Sequence, residues 1–170
     1  SLSEYELLAA ARIRKTLGIA GPKEEDVLKV RDKVIMKHAV QAAGIRVPRF
    51  LRCTEWLSTH DRIKLRWKGP TILKPVDGAA SENVLLFVDF DDAVVRMEAN
   101  ELPVPNFKPE RYEMEEYVEG PILHIDGLMR EGSLGVGLVS QYLGTCLDYA
   151  NGKPLGSFQW DEAESRTLLP

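Results

Sequence analysis

Two short apolar segments separated by a loop of small residues place the strongest restriction on the fold of this chain. TILKPV (71–76) and NVLLFV (83–88) are rich in β-branched and large apolar side chains, which is typical of strands. The residues between them, DGAASE, have the composition of a hairpin turn. We therefore predict an antiparallel hairpin over residues 71–88, with its most mobile part at the tip, residues 77–82.

Helical patterns and strand patterns alternate along the rest of the sequence. The sequence predicts helices over residues 3–19, 21–45, 54–65 and 89–101, and the first turn of another helix from residue 161. It predicts extended segments or strands over residues 47–53, 111–118, 121–130 and 133–144, and an irregular segment over 145–160. Helices between hairpins favour an α+β fold over a doubly wound parallel sheet.

Composition excludes several functional classes. The 170 residues are 44% hydrophobic and 28% charged, as in a globular protein, and the formal net charge of −4 gives no general attraction to nucleic acid or anionic lipid. No apolar run approaches the roughly 20 residues needed to cross a bilayer. Cys53 and Cys146, the only cysteines, lack the spacing of metal ligands. We therefore expect no nucleic-acid or membrane partner, and a reducing, cytoplasmic location.

The loop after Lys74 has the composition of an anion-binding loop. Gly78, Ala79 and Ala80 have little or no side chain, so their backbone N–H groups could approach phosphate oxygens, and Lys74 adds a positive charge. The order of residues is not that of a P-loop, in which the lysine follows the glycines. A strand rather than a helix follows the loop, which also excludes a dinucleotide fingerprint. The alternative is a surface hairpin with Lys74 at an exposed edge.

Three segments, taken in order, resemble the ATP-grasp superfamily, and in particular its carboxylate–amine ligase and biotin-carboxylase-like branch. They are RDKVIMKHAVQAAGIRVPRF (31–50), PTILKPVDGAASENV (70–84) and YEMEEYVEGPILHIDGL (112–128). The likeness covers roughly residues 4–145. It implies an antiparallel sheet with flanking helices, incomplete at both ends.

The resemblance also implies roles for individual residues. Lys33 and Lys74 correspond to the two lysines that contact the phosphates of ATP. Gly78, Ala79, Ala80 and Ser81 correspond to the loop over the β- and γ-phosphates. The inter-lobe strand that contacts adenine corresponds to Glu115, Glu116, Tyr117 and Val118. His124 lies near the position of a ribose contact in some members of the family.

Each of these residues also has a simpler interpretation. Lys33 could be a solvated helix lysine, and His124 could be structural. The glutamates Glu113, Glu115 and Glu116 could mark a charged edge strand that discourages aggregation. None of these alternatives needs a ligand.

The resemblance divides the chain into three parts. Residues 1–65 would form an N-terminal helical segment, 66–119 the lid subdomain with the small-residue loop, and 120–170 the start of an incomplete C-terminal lobe. The implied function is the ATP-binding part of a ligase that activates a carboxylate as an acyl phosphate for attack by an amine or similar nucleophile.

The cofactors implied are ATP and Mg²⁺, and the substrates are small molecules. The acidic pattern that binds Mg²⁺ in the family is not found after residue 144, so we assign no metal ligand and no catalytic residue in this chain. The alternative function is therefore a nucleotide-binding or regulatory module without catalysis. For the oligomeric state, a homodimer is an open alternative.

Overall fold

The computed structural model describes residues 3–54 and 65–168, which belong to two compact units. The first unit is Ser1–Val118 and the second is Glu119–Pro170. The helix predicted over residues 54–65 lies almost entirely outside the described residues. None of the described helices is long and apolar enough to cross a membrane.

The first unit begins with a helical region. A 3-10 turn at Glu4–Glu6 leads into α1 (Leu7–Leu17), α2 (Glu24–Arg31) and α3 (Lys33–Ala42). Helix α1 ends at Gly18, whose φ of 65° is in the left-handed region that glycine adopts without a Cβ clash. The structure thus confirms a helical region within residues 3–19 and ends it at Gly18.

The single helix predicted over residues 21–45 is wrong, because the chain breaks at Asp32. The backbone of Asp32 is extended (φ −95°, ψ 113°), and its carboxylate accepts hydrogen bonds from the N–H groups of Val34 at 3.0 Å and Ile35 at 3.1 Å. Arg52 holds the other carboxylate oxygen at 2.6 Å. Aspartate favours such local capping over a helix interior, and this starts a new helix at Lys33.

The first sheet contains four antiparallel strands in the order β1-β4-β2-β3. The strands are β1 (Phe50–Arg52), β2 (Thr71–Pro75), β3 (Leu85–Phe87) and β4 (Tyr112–Glu116). Strands β2 and β3 form the predicted hairpin, with Thr71 opposite Phe87. The predicted α+β class with an antiparallel sheet is thus confirmed.

One face of this sheet packs on α4 (Phe90–Glu98), which is capped by Asp89 within the helix predicted over residues 89–101. The side chains of Leu51, Leu73 and Met114 are buried there. The helix contributes the buried side chains Phe90, Ala93, Val94 and Met97 to the same cluster. This apolar face makes the core of the first unit, and it leaves the opposite face of the sheet for polar side chains.

The second unit is built on an antiparallel three-stranded sheet. Its strands are β5 (Leu123–Arg130), β6 (Ser133–Leu143) and β7 (Gly156–Gln159), in that order. Two short helices, α5 (Cys146–Ala150) and α6 (Glu162–Ser165), follow β6 and β7. The irregular segment predicted over 145–160 is therefore wrong, since Thr145 caps α5 and β7 pairs with β6. Both elements are too short to produce a clear periodicity in the sequence.

Candidate functional site

The face of the first sheet opposite the apolar core carries a row of charged side chains. The register places Arg52, Glu113 and Lys74 directly opposite one another on β1, β4 and β2. Glu115 lies two residues after Glu113 and therefore on the same face. Since Arg52 pairs with Asp32, the remaining charges on this face are the two glutamates and Lys74.

Lys37 of α3 reaches these glutamates from above the sheet. Its ammonium group lies 2.5 Å from Oε1 of Glu113 and 2.6 Å from Oε2 of Glu115. Lys37 is only 5% exposed and Glu113 is completely buried. The ammonium group also lies 5.2 Å from the centre of the Phe50 ring. Helix α3 is therefore fixed to the sheet by a buried ion pair.

Lys74 completes the cluster. Its ammonium group forms an ion pair with Oε1 of Glu115 and lies 3.8 Å from Oε1 of Glu113. Strand β2 is paired on both sides, with β4 and β3. The alternative in which Lys74 sits at an exposed hairpin edge is therefore wrong. Together, Lys37, Lys74, Glu113 and Glu115 form a four-charge cluster.

The pKa values of the two glutamates shift in opposite directions. Burial raises the pKa of Glu113, and the nearby Lys37 only partly offsets this. Burial would also raise the pKa of Glu115, but the charges of Lys74 and Lys37 outweigh it and hold that pKa below its usual value. The contacts explain the difference, because Glu115 has a lysine on each oxygen whereas Oε2 of Glu113 has no partner among the described residues.

The small-residue loop between β2 and β3 is held by cationic side chains from the helical region and from the turn before β4. Lys33 Nζ donates to the carbonyl oxygen of Gly78 at 2.8 Å, and Arg31 donates to the carbonyl oxygen of Asp77. Arg111 pairs with the Asp77 carboxylate at 2.7 Å. The simpler interpretation of Lys33 as a fully solvated lysine is therefore wrong. Mobility of the tip stays a prediction.

The loop backbone is unusual for residues other than glycine. Ala80, Ser81 and Asn83 have φ values of 53°, 57° and 55°, in the left-handed region. This conformation disfavours alanine and serine and is found more often where a loop serves a function. Gly78 and Ala79 do not share it. The strained part of the loop thus includes Ala80 and Ser81, two of the four residues that the resemblance assigns to the phosphates.

Burial lowers the pKa of Lys33, and the charge of Lys74 lowers it further. Arg31 and Lys37 act in the same direction. Glu113 acts in the opposite direction, so the lowered pKa of Lys33 results first from burial and then from the three neighbouring cations.

At the end of β4 and just after it, two of three backbone N–H groups are already hydrogen-bonded. Glu116 N–H donates to the carbonyl oxygen of Arg49, and Tyr117 N–H donates to that of Pro70, both at 2.9 Å. Val118 N–H has no partner among the described residues. Because β4 pairs with both β1 and β2, the interpretation of its glutamates as a charged edge strand is wrong.

His124 belongs to the second unit. Its Nδ1 lies 2.9 Å from the Asp126 carboxylate, and its ring packs on Tyr142 with centroids 4.7 Å apart. These contacts orient the imidazole ring within the sheet of that unit. A ribose contact by His124 stays a prediction.

The sequence did not place Lys37 or Glu113 among the predicted ligand-binding residues. Two spacings could have revealed them: Lys37 lies four residues after Lys33 on one helix face, and Glu113 lies two residues before Glu115 on one strand face. Both spacings place the missed residue beside a predicted site residue. Their pairing depends on a contact between α3 and β4, 76 positions apart in the chain.

Solved structures resemble the chain across most of its length. An L-amino acid ligase from Bacillus licheniformis matches 82% of the chain with a TM-score of 0.58 and 20% identity. A D-alanine–D-alanine ligase from Bacillus anthracis matches 92% with a TM-score of 0.57 and 20% identity. These enzymes are ATP-grasp ligases. The chain has an ATP-grasp fold.

The ATP-grasp likeness is one of structure. A D-alanyl-alanine synthetase A from Vibrio cholerae O1 biovar eltor matches 90% of the chain with a TM-score of 0.59 at only 14% identity. No family model matches the sequence, and no curated protein matches it significantly. The chain spans 31%, 51% and 49% of the lengths of the three ligases.

Proposed function

We propose that this chain is the ATP-binding part of an ATP-grasp ligase that joins a small carboxylate to an amine or a similar nucleophile. The observation that carries the proposal is the convergence of Lys33 and Lys74 at the base of the strained loop. Lys33 bonds to the loop itself, and Lys74 lies in the strand that leads into it. The ATP-grasp fold supports the same conclusion.

When ATP is bound, it supplies the phosphoryl group that converts the carboxylate into an acyl phosphate, from which the nucleophile then displaces phosphate. The chain's own residues contribute position and charge. Lys33 and Lys74 bind phosphate oxygens, and the loop N–H groups from Gly78 to Ser81 cover them. Phosphate binding therefore takes Lys33 from the Gly78 carbonyl and Lys74 from Glu115.

The adenine end of the site follows from the segment after β4. Val118 N–H is a donor without a partner among the described residues. Glu115 is paired through Oε1 with Lys74. Once Lys74 moves to a phosphate, that oxygen becomes available to the adenine amino group. The release of Lys74 and the binding of adenine would then support each other.

A magnesium site is not formed within residues 3–54 and 65–168. These residues hold no group of three or more His, Cys, Asp or Glu side chains arranged around a common point. The described part of the chain thus does not fit Mg²⁺ by itself, and we assign no step to a metal ion.

Acyl-phosphate formation can be tested with hydroxylamine, which traps acyl phosphates as hydroxamates. Full-length protein would be incubated with ATP, Mg²⁺, hydroxylamine and one small carboxylate at a time, beginning with amino acids. We expect ADP and a hydroxamate with one class of carboxylate, and neither with Lys74→Ala. If ATP binds but no carboxylate in a broad panel produces ADP, the ligase proposal is contradicted and the non-catalytic nucleotide-binding module is favoured.

A further inference from the structure

The buried half of the four-charge cluster has no part in the proposed contacts with ATP. Lys37 is 5% exposed and Glu113 is completely buried, so neither is placed to touch a ligand in the described structure. Burying an ion pair is costly and often adds little stability over apolar side chains of the same size. A stabilising role alone therefore gives a weak account of this pair.

The contacts of the cluster show what the pair does to Lys74. Two ammonium groups and two carboxylates alternate: Lys37 touches one oxygen of each glutamate, and Lys74 touches the remaining oxygen of Glu115. Lys74 also lies 3.8 Å from Glu113. The cluster is electrically balanced only while both lysines are in it.

A triphosphate that binds Lys74 must remove it from this cluster. With Lys37 present, the two glutamates left behind still share one buried ammonium group. Without Lys37, the ion pairs described for both carboxylates would be those with Lys74, and removing it would bring two like charges closer to being uncompensated in a poorly solvated place. Lys37 thus makes the release of Lys74 less costly, and Glu113 makes it more costly.

We propose that Lys37 and Glu113 are positioning residues that set the affinity of Lys74 for the triphosphate. This inference rests on the proposed function, because it takes Lys74 as the phosphate ligand. It assigns opposite effects to the two partners of one ion pair. Lys37 strengthens phosphate binding and Glu113 weakens it.

The test measures the affinity of full-length protein for ATP, tripolyphosphate and adenosine by calorimetry. We expect Lys37→Met to weaken ATP and tripolyphosphate binding roughly tenfold, from the loss of one buried charge near Lys74. Glu113→Gln should strengthen both by about three- to tenfold, and the double variant should return to the wild-type value. Adenosine affinity should change less than tripolyphosphate affinity in every variant, because adenosine carries no phosphate and is linked to the pair only through Glu115.

Matched controls separate this effect from a general change in net charge. Lys29→Met and Glu110→Gln remove the same charges from exposed side chains in the same unit, and each should shift the affinity less than about twofold. If circular dichroism shows that Lys37→Met is unfolded, the test is whether Glu113→Gln raises the affinity for ATP and tripolyphosphate more than Glu110→Gln does. A purely structural pair would weaken binding in both single variants, which would overturn the proposal.

The two proposals fail in different ways. If wild-type protein does not bind ATP, or Lys74→Ala binds it equally well, the proposed function falls and this inference falls with it. If Lys74→Ala weakens binding but Lys37→Met and Glu113→Gln behave like their controls, only the inference about the pair is wrong.

Discussion

Replacing Lys37 by methionine should destabilise the first unit strongly, since it removes the closest cation of a completely buried carboxylate. Glu113 Oε1 would lose its partner at 2.5 Å, while Oε2 already has none among the described residues. Breaking a buried pair from one side typically costs about 3–5 kcal/mol. In a chain of this size that corresponds to a decrease of the melting temperature on the order of 10 °C.

The loss of stability in the Lys37→Met variant should increase as the pH rises. Burial raises the pKa of Glu113 in the folded protein. Stability associated with such a group is greatest below its unfolded pKa and is lost as the pH rises through the folded pKa. Without Lys37 that folded pKa rises further, because a nearby positive charge has been removed. The destabilisation by Lys37→Met should therefore be smaller at pH 5 than at pH 8.

The assay is urea unfolding followed by tryptophan fluorescence in a Trp160→Phe background. This background removes the tryptophan of the second unit and keeps Trp67, which is buried in the first unit, as a reporter. Lys29→Met serves as the exposed control and should change the free energy of unfolding by less than about 0.5 kcal/mol. Adding Glu113→Gln to Lys37→Met should restore most of the free energy of unfolding that Lys37→Met removes. The reasoning would be refuted if Lys37→Met and Lys29→Met lowered the free energy of unfolding equally, or if the effect of Lys37→Met did not depend on pH.

Three further predictions concern the loop, the segment after β4 and the second unit. ATP affinity should fall as the pH rises through the lowered pKa of Lys33, because the lysine loses the charge that binds phosphate. Binding should then take up protons, which calorimetry in buffers of different ionisation enthalpy measures. Tyr117→Pro removes the N–H bond to Pro70 and should weaken ATP binding more than Tyr117→Phe, with circular dichroism confirming the fold. Gly127→Ala should lower the melting temperature of the second unit, because the added Cβ would lie 2.7 Å from a leucine methyl carbon and from a strand carbonyl oxygen. Gly135→Ala is the control, since its added Cβ would lie 3.6 Å from the nearest atom.

The parts of the fold that the sequence predicts correctly depend on local patterns. The β2–β3 hairpin follows from two apolar segments around a loop of small residues, and the cap of α4 follows from an aspartate before an amphipathic segment. The break between α2 and α3 also has a local cause, the capping carboxylate of Asp32. It was missed because the apolar positions continue with helical spacing across it.

The candidate site depends on contacts that no local pattern contains. Strand β4 lies between β1 and β2, so its glutamates do not line an edge, and Glu113 and Glu115 meet Lys37 of α3. That order of strands joins segments from three distant parts of the chain. The sequence predicts Lys33 and Lys74 through family resemblance, but the partner of each lysine could be identified only from the tertiary structure.

The most direct test of the central claim compares two lysines near the same strand. Lys74 leads into the loop with its side chain in the four-charge cluster, whereas Lys68 precedes β2 and is exposed. Each alanine variant removes one positive charge. Calorimetric titration of full-length protein with ATP should show a loss of about 10- to 100-fold for Lys74→Ala and little change for Lys68→Ala. Equal affinities for the two variants, both folded, would contradict the assignment of Lys74 to the phosphates.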